Sequence, residues 1–171
     1  MLAALWISVS PGGSLTVYRE LCMPGLTLSA AARAIVDSTR ERCSFCVASP
    51  DLWNRRQDSG LSGVEIMSSV SGLPPLRRAD DRRIPGWNAL REYLSPSDSR
   101  PGLVISSSCT ELIRCMSALL YSKDGTQDAA GEPHSITHAP EALRYGVMAR
   151  VSLPEVRQSG GFRFSSAKGR R

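Results

Sequence analysis

A short turn sequence near the start of the chain, PGG at residues 11–13, restricts the fold more than any other feature. The segments on either side of it, residues 2–9 and 14–21, are rich in residues that favour strands. Proline and glycine between two such segments are typical of an antiparallel β-hairpin. We therefore expect the sheet of this protein to begin with two neighbouring, antiparallel strands.

Beyond this hairpin, helical and strand patterns alternate, which predicts an α/β fold with a sheet flanked by helices. Short apolar runs predict a buried central strand at residues 43–48, an edge strand at residues 73–79, where two prolines occur, and another strand at residues 102–106. Apolar residues at helical spacing predict helices at residues 27–40, 61–70, 83–94, 109–120 and 137–149.

The amino-acid composition is that of a folded protein with one domain. The chain has 171 residues, of which 42% are hydrophobic and 22% charged, and these values exclude the disordered, collagen-like and coiled-coil classes. Residues 1–9 are too short and too uncharged for a membrane span or a secretory signal. The chain has neither a P-loop motif nor a G-x-S-x-G motif. We expect one domain, residues 1–150, without membrane contact.

Positive charge is concentrated at the C-terminal end. The formal net charge is +5, and all but two of the 21 basic residues are arginine, which suits phosphate contacts and also arises in GC-rich genomes. Residues 151–171 carry five of the basic residues without apolar periodicity, so we expect a flexible tail that attracts phosphate without reading base sequence. The alternative is a readthrough segment with no partner.

Three acidic residues and a histidine are candidates for a cation site. His138 and Glu141 are three residues apart at the start of a predicted helix, so they share a face. Asp51 follows the predicted central strand, where α/β proteins place ligands, and Glu20 lies in the second strand. Ordinary structural roles compete with this interpretation: Thr137 or His138 as a helix N-cap, an Asx-type turn at Asp51, and an exposed strand position for Glu20.

Two pairs of residues have the spacing of zinc ligands. Cys43 and Cys46 are followed much later by His134 and His138. The separation between the pairs is far longer than a zinc-finger loop, and strand alternation places the two cysteines on opposite faces. The odd number of cysteines favours reduced thiols over a disulfide framework. A zinc protein is therefore a minor alternative.

A basic cluster is a candidate DNA contact. Arg77, Arg78, Arg82 and Arg83 lie close together in the sequence and could follow a DNA backbone. Two aspartates interrupt the cluster, so a solvated and mutually paired run of charges is the alternative.

Six separated segments resemble the C-terminal nuclease domain of tailed-phage terminase large subunits. They occur in the family's order over about residues 1 to 149, and six segments in register are more specific than any one of them. The segments are LWISV, VYREL with the downstream PGLTLSAAARAI, SPDLWNRRQDSG, RRIPGWNALREYL, SSSCTELIR and EPHSITHAPEALRYGVM.

This resemblance implies a ribonuclease-H-like fold that cuts concatemeric double-stranded DNA during genome packaging. In the family, acidic residues hold two divalent ions, magnesium or manganese, which activate water for the phosphodiester displacement. Carried over by motif, Asp51, His138 and Glu141 are the catalytic residues, and Asp51 and Glu141 are metal ligands. Glu20 is added to the expected metal ligands from its place in the second strand, which points to the same region if its face is right. Arg144, in the last segment, joins the basic cluster as a DNA contact. We expect the carboxylates of Asp51 and Glu141 to lie close together, with His138 beside them.

The resemblance also implies partners and a reduced activity. The terminase small subunit, the portal and double-stranded DNA are the expected partners, in the cytoplasm of a bacterial host. Glu141 stands where the family has aspartate, no acidic residue precedes Glu20 although the family's first metal-binding aspartate lies on the opening strand, and the family's ATPase domain is not part of this chain. We therefore expect a truncated or separately encoded domain with impaired cleavage. The alternative is a non-catalytic remnant that contacts DNA.

Overall fold

A computed structural model gives the fold of most of the chain. The described residues are 1–55, 57, 60–95, 97, 102–123 and 128–151. All but the first residue of the predicted basic tail, residues 151–171, lies outside them.

The predicted β-hairpin is confirmed. Strand β1 (Leu2–Val9) pairs antiparallel with strand β2 (Leu15–Met23), with a register shift between Trp6 and Ile7. In the connecting turn, the N–H of Gly13 donates to the carbonyl of Ser10 at 2.9 Å. Gly13 has a φ of 86°, a left-handed conformation that glycine adopts without steric cost, so the sequence of the turn fits its geometry.

The strands form two sheets in a mixed α/β arrangement. Strand β5 (Leu103–Ile105) pairs parallel with β2, which gives a mixed three-stranded sheet in the order β1-β2-β5. Strands β3 (Cys46–Ala48) and β4 (Leu76–Arg78) form a separate parallel pair. The mixed α/β class is confirmed. The run predicted at residues 73–79 forms an edge strand only over Leu76–Arg78, directly after its two prolines.

The prediction of a buried central strand at residues 43–48 is wrong. The strand begins only at Cys46, and all three of its residues are half-buried. Among the described residues it is hydrogen-bonded to β4 alone within its sheet, so it is an edge strand and not a central one. A short apolar run indicates that a segment is partly buried, but it does not determine how many neighbours the strand has.

Five α-helices occur in the described part of the chain, close to the predicted positions. Threonine and serine cap the first two: Thr27 Oγ1 accepts from the N–H of Ala30 at 3.2 Å, and Ser62 forms a capping box with Glu65. The helices are α1 (Leu28–Ser38), α2 (Gly63–Ser68), α3 (Arg83–Leu94), α4 (Thr110–Ala118) and α5 (His134–Val151). No helix among the described residues is long and apolar enough to cross a membrane.

Helix α5 begins earlier than the sequence pattern predicts. It starts at His134, so Thr137 and His138 lie within the helix and the N-cap interpretation is wrong. The carboxylate of Glu132 accepts a hydrogen bond from the N–H of His134 at 3.1 Å and so satisfies an amide of the first turn. Pro140 consequently lies in the second turn instead of the first, and the helix accommodates it.

The main core lies between the three-stranded sheet and helices α3, α4 and α5. Its members are fully or almost fully buried apolar residues: Leu15, Val17, Trp87, Leu90, Cys109, Leu112, Cys115, Ala139, Leu143 and Val147. Helix α5 approaches β1 closely because residue 146 is glycine, and a Cβ at that position would collide with the Cδ1 of Ile7. The core therefore fixes α5 against the sheet and α3.

Trp87 should be a major contributor to stability. Its side chain is 5% exposed and belongs to the core, so Trp87→Ala is expected to lower the free energy of unfolding by about 3–5 kcal/mol. Urea unfolding followed by circular dichroism measures this difference. The matched control is Leu120→Ala, because Leu120 is 67% exposed. Equal midpoints for the Trp87 variant and the wild type would contradict a scaffold role.

Candidate functional site

Glu20 reaches from the sheet to cap helix α4. Its Oε1 accepts from the backbone N–H of Glu111 and its Oε2 from that of Leu112, each at 2.8 Å. Cys109, the N-cap residue of the helix, makes no side-chain capping bond, so the carboxylate satisfies first-turn amides at the positive end of the helix dipole. Glu20 is half-buried, and the alternative of an exposed strand position is wrong.

Removing the charge of Glu20 should loosen the start of α4. In Glu20→Gln one carboxylate oxygen becomes an NH2 group that faces a backbone N–H, so we expect a loss of about 1–3 kcal/mol in the free energy of unfolding. Chemical denaturation measures the loss. Glu92→Gln is the matched control, since Glu92 is exposed on α3. If both variants unfolded at the same denaturant concentration, the cap would have no energetic role.

Asp51 lies in a one-turn 3-10 helix, Pro50–Trp53, that follows β3. The turn is closed by the backbone, because the N–H of Asn54 donates to the carbonyl of Asp51 at 3.1 Å. The hydroxyl of Ser49 is 3.5 Å from Oδ2, which is a long and weak contact. The side chain is exposed, so its carboxylate is accessible to a ligand from solution.

Glu141 is shared between two arginines. Its Oε1 accepts from the Arg83 guanidinium, and its Oε2 accepts from Arg144 Nε at 2.8 Å and Nη2 at 2.7 Å. Arg83 also binds Asp128, with Nε 2.8 Å from Oδ2, and donates to the carbonyl of Ala129 at 3.0 Å. We call Arg83, Asp128, Glu141 and Arg144 the arginine–carboxylate network. It joins α3, α5 and the segment that leads into α5.

Arg144 is the most deeply buried member of this network. It is 1% exposed, its Nη1 donates to the carbonyl of Arg82 at 3.1 Å, and its guanidinium lies 4.7 Å from the ring centre of Tyr145 and 5.8 Å from that of Trp87. Gly86 leaves room for it, since a Cβ there would lie 2.8 Å from the Arg144 Cγ. The protein therefore encloses the Arg144 guanidinium, which the family resemblance predicted to contact DNA.

Asp128 and the structural role of Arg83 were missed by sequence reasoning. Asp128 belongs to a polar loop, 45 residues from Arg83, and no local pattern connects the two. Burial raises the carboxyl pKa of Asp128, but the hydrogen bonds and charge of Arg83 outweigh burial and hold this pKa below its ordinary value. The same hydrogen bonds raise the pKa of Arg83.

The network should make stability depend on pH in acid. Folding lowers the pKa of Asp128, so its ionised carboxylate stabilises the folded state. This stabilisation is complete above the unfolded pKa of about 3.9 and is lost as the pH falls through the lower folded pKa. Asp128→Asn should therefore be less stable than the wild type at pH 7, with a difference that shrinks below about pH 4. Unfolding free energies measured between pH 7 and about pH 2.5 test this. A constant difference across that range would contradict it.

His138 lies on α5, three residues before Glu141, as the spacing predicts. Its side chain is half-buried, and burial, followed by nearby positive charge, lowers its pKa below the ordinary value of 6.5. The imidazole is therefore neutral at pH 7, the form that can accept a proton or bind a metal.

The predicted DNA-contacting arginines differ in their accessibility. Arg77 and Arg78 are exposed on β4, and the Arg77 guanidinium lies 4.1 Å from the ring centre of Phe45. Arg82 is exposed but pairs with Asp80, with Nη2 2.6 Å from Oδ2. Arg83 belongs to the arginine–carboxylate network. The small β3-β4 sheet therefore presents two of the predicted guanidinium groups to solvent.

The predicted metal ligands are not assembled. Within the described ranges no three His, Cys, Asp or Glu side chains form a group that could hold a metal ion. Both oxygens of Glu20 accept backbone hydrogen bonds and both oxygens of Glu141 accept guanidinium hydrogen bonds. As arranged, these residues do not fit a two-metal site, so no step through an ion is assigned to them. Binding of magnesium or manganese stays a prediction.

The cysteines are free thiols. Burial raises the pKa of Cys46 to about 11, and it also raises that of Cys43, so both are protonated at neutral pH. A protonated thiol is a poor zinc ligand unless the ion itself displaces the proton.

No protein-family profile, curated protein or solved structure matches this chain. The chemistry of these residues is therefore inferred from their positions and contacts in the structure.

Proposed function

We propose that this chain is a nuclease-type domain of a phage or prophage terminase large subunit that contacts double-stranded DNA and whose metal-dependent cleavage is impaired. The ribonuclease-H-like fold, the terminase small subunit and portal as partners, and the cytoplasm of a bacterial host are parts of the same proposal. Its starting point is the ordered resemblance of six segments over most of the chain.

One observation carries the functional part of the proposal: the pairing of Glu141 with Arg83 and Arg144. A carboxylate must give lone pairs to an ion in order to hold it, and here three guanidinium contacts occupy both oxygens of Glu141. Withdrawing Glu141 would leave the buried charge of Arg144 without its partner, which costs several kcal/mol. This cost opposes metal binding and favours impaired cleavage.

The DNA contact is supported by the exposed arginines of β4. Arg77 and Arg78 are adjacent and accessible, and stacking on Phe45 holds the Arg77 guanidinium in place at the surface. Arginine donates hydrogen bonds to phosphate oxygens in a planar, bidentate geometry. Neighbouring side chains of a strand point to opposite faces, so the two groups reach one DNA backbone only along the edge of β4. Such a contact does not read base sequence.

A specific observation also favours the second candidate, a non-catalytic DNA-contacting remnant. Glu20 is engaged with α4 through both of its oxygens, so it too serves the fold. Asp51 alone among the three acids presents an accessible carboxylate. The two candidates share DNA binding and differ in whether any cleavage remains.

The salt dependence of DNA binding tests the shared part. The double variant Arg77→Ala/Arg78→Ala should flatten the slope of log K against log salt by about 1.8, because each lost phosphate contact removes about 0.9. Fluorescence anisotropy with a labelled duplex at several salt concentrations measures the slope. The control Arg33→Ala/Arg40→Ala removes the same charge from exposed positions elsewhere. Equal slopes for the two double variants would show that β4 is not the contact.

A cleavage assay distinguishes the impaired nuclease from the non-catalytic remnant. With supercoiled plasmid and Mn²⁺, an impaired nuclease should nick slowly and lose this activity in Asp51→Asn while binding DNA as before. Absence of nicking together with unchanged binding would establish the non-catalytic remnant. If the wild-type chain did not bind duplex DNA at all, both candidates would be ruled out.

A further inference from the structure

His134 and His138, the chain's two histidines, lie one turn apart at the start of α5. Their ring centres are 6.3 Å apart, and the ring planes are inclined by 30°. We propose that this histidine pair binds a divalent transition-metal ion of the Zn²⁺, Ni²⁺ and Cu²⁺ class. The proposal goes beyond the proposed function and does not depend on it, because it uses nitrogen ligands and none of the three acids discussed above.

The helix provides the geometry that such an ion needs. Residues four apart lie on the same face of an α-helix, and two histidines at this spacing can bind one ion. An ion at about 2.0–2.1 Å from one nitrogen of each ring lies roughly 3 Å from each ring centre. At the tetrahedral angle that zinc prefers, this places the two ring centres about 5 Å apart. The observed separation of 6.3 Å must therefore shorten by about 1 Å on binding, which rotation of the exposed His134 ring allows.

Glu132 orients one of the two rings. Its Oε1 lies 3.0 Å from His134 Nε2, and its Oε2 accepts from the backbone N–H of His134 at 3.1 Å. A carboxylate that accepts the Nε2 proton leaves Nδ1 as the nitrogen with a free lone pair, which is the usual second-shell arrangement of metal-binding histidines. The segment before the helix thus places a carboxylate where it favours the tautomer with Nδ1 free for a metal.

The site is accessible and open. The His134 side chain is 75% exposed, whereas His138 is half-buried, so an ion can enter from the side of His134. No third His, Cys, Asp or Glu completes a ligand group in the part of the chain that the structure describes. Water would fill the remaining positions, and we expect modest affinity.

Ligand chemistry selects the metal. Imidazole suits zinc, copper and nickel, whereas magnesium and manganese prefer oxygen ligands. The histidine pair should therefore bind Ni²⁺ or Zn²⁺ and discriminate against Mg²⁺. It also differs from the four-ligand zinc site considered from the sequence, because Cys43 and Cys46 take no part in it.

Metal titration of the full chain with NiCl2 or ZnCl2 alone, followed by calorimetry, tests the proposal. We expect one ion per chain, and at least about a tenfold loss of affinity in both His134→Ala and His138→Ala. The control Cys43→Ser/Cys46→Ser should bind as the wild type does. MgCl2 under the same conditions should give no heat of binding at this site.

A second readout uses the fact that the chain has only two imidazoles. Paramagnetic Ni²⁺ should broaden the ring signals of both histidines together in NMR spectra, and Glu132→Gln should weaken binding by about tenfold. Because His134 is exposed, its variant should fold even if the His138 variant does not. Absence of binding to the wild type, undiminished binding in His134→Ala, or loss confined to the cysteine variant would overturn the proposal. None of these results depends on DNA binding or cleavage.

Discussion

The burial of Arg144 is the constraint on which the arrangement of α3, α5 and the loop before α5 depends. A guanidinium that is 1% exposed needs partners for its charge and its N–H groups. Glu141, one turn earlier on the same helix, and the carbonyl of Arg82 supply them. Gly86 provides the space between the two helices. The contacts that pack α3 against α5 are therefore also the contacts that neutralise the buried charge of Arg144.

The network extends this constraint to the loop. Arg83 connects the helix to the loop, since it binds Glu141 on α5 and Asp128 in the loop. Breaking one contact would leave a partly buried charge without its partner, which is more costly than losing a surface ion pair. Acidic residues that could have served an ion thus hold the fold together, and the same is true of Glu20 at α4.

Two of the ligand surfaces proposed above, both among the described residues, differ in chemistry. The β3-β4 sheet presents arginines, which suit phosphate oxygens, and the start of α5 presents imidazoles, which suit borderline metals. They lie on different elements and use no residue in common. A DNA contact and a transition-metal site can therefore exist in one chain without competing for ligands.

Much of the local structure follows from the sequence alone. The limits of α3 and the hairpin with its glycine turn were predictable because each depends on residues within a few positions of one another. The edge position of β4 agrees with the two prolines that directly precede it. Helix α5 was predicted with a late start because the capping carboxylate, Glu132, precedes a segment that has the composition of a loop.

The tertiary structure decided which partner each polar side chain has. Glu20 meets α4 across 91 residues and Arg83 meets Asp128 across 45, distances at which no periodicity carries information. The sequence also could not predict that β3 pairs with β4 in a separate sheet and does not join the three-stranded sheet. A short apolar run shows only that a segment is partly buried. The sequence determined which residues can bear charge or bind a ligand. Packing decided which of them are neutralised inside the protein, because a buried charge must find its partner wherever the chain brings one close.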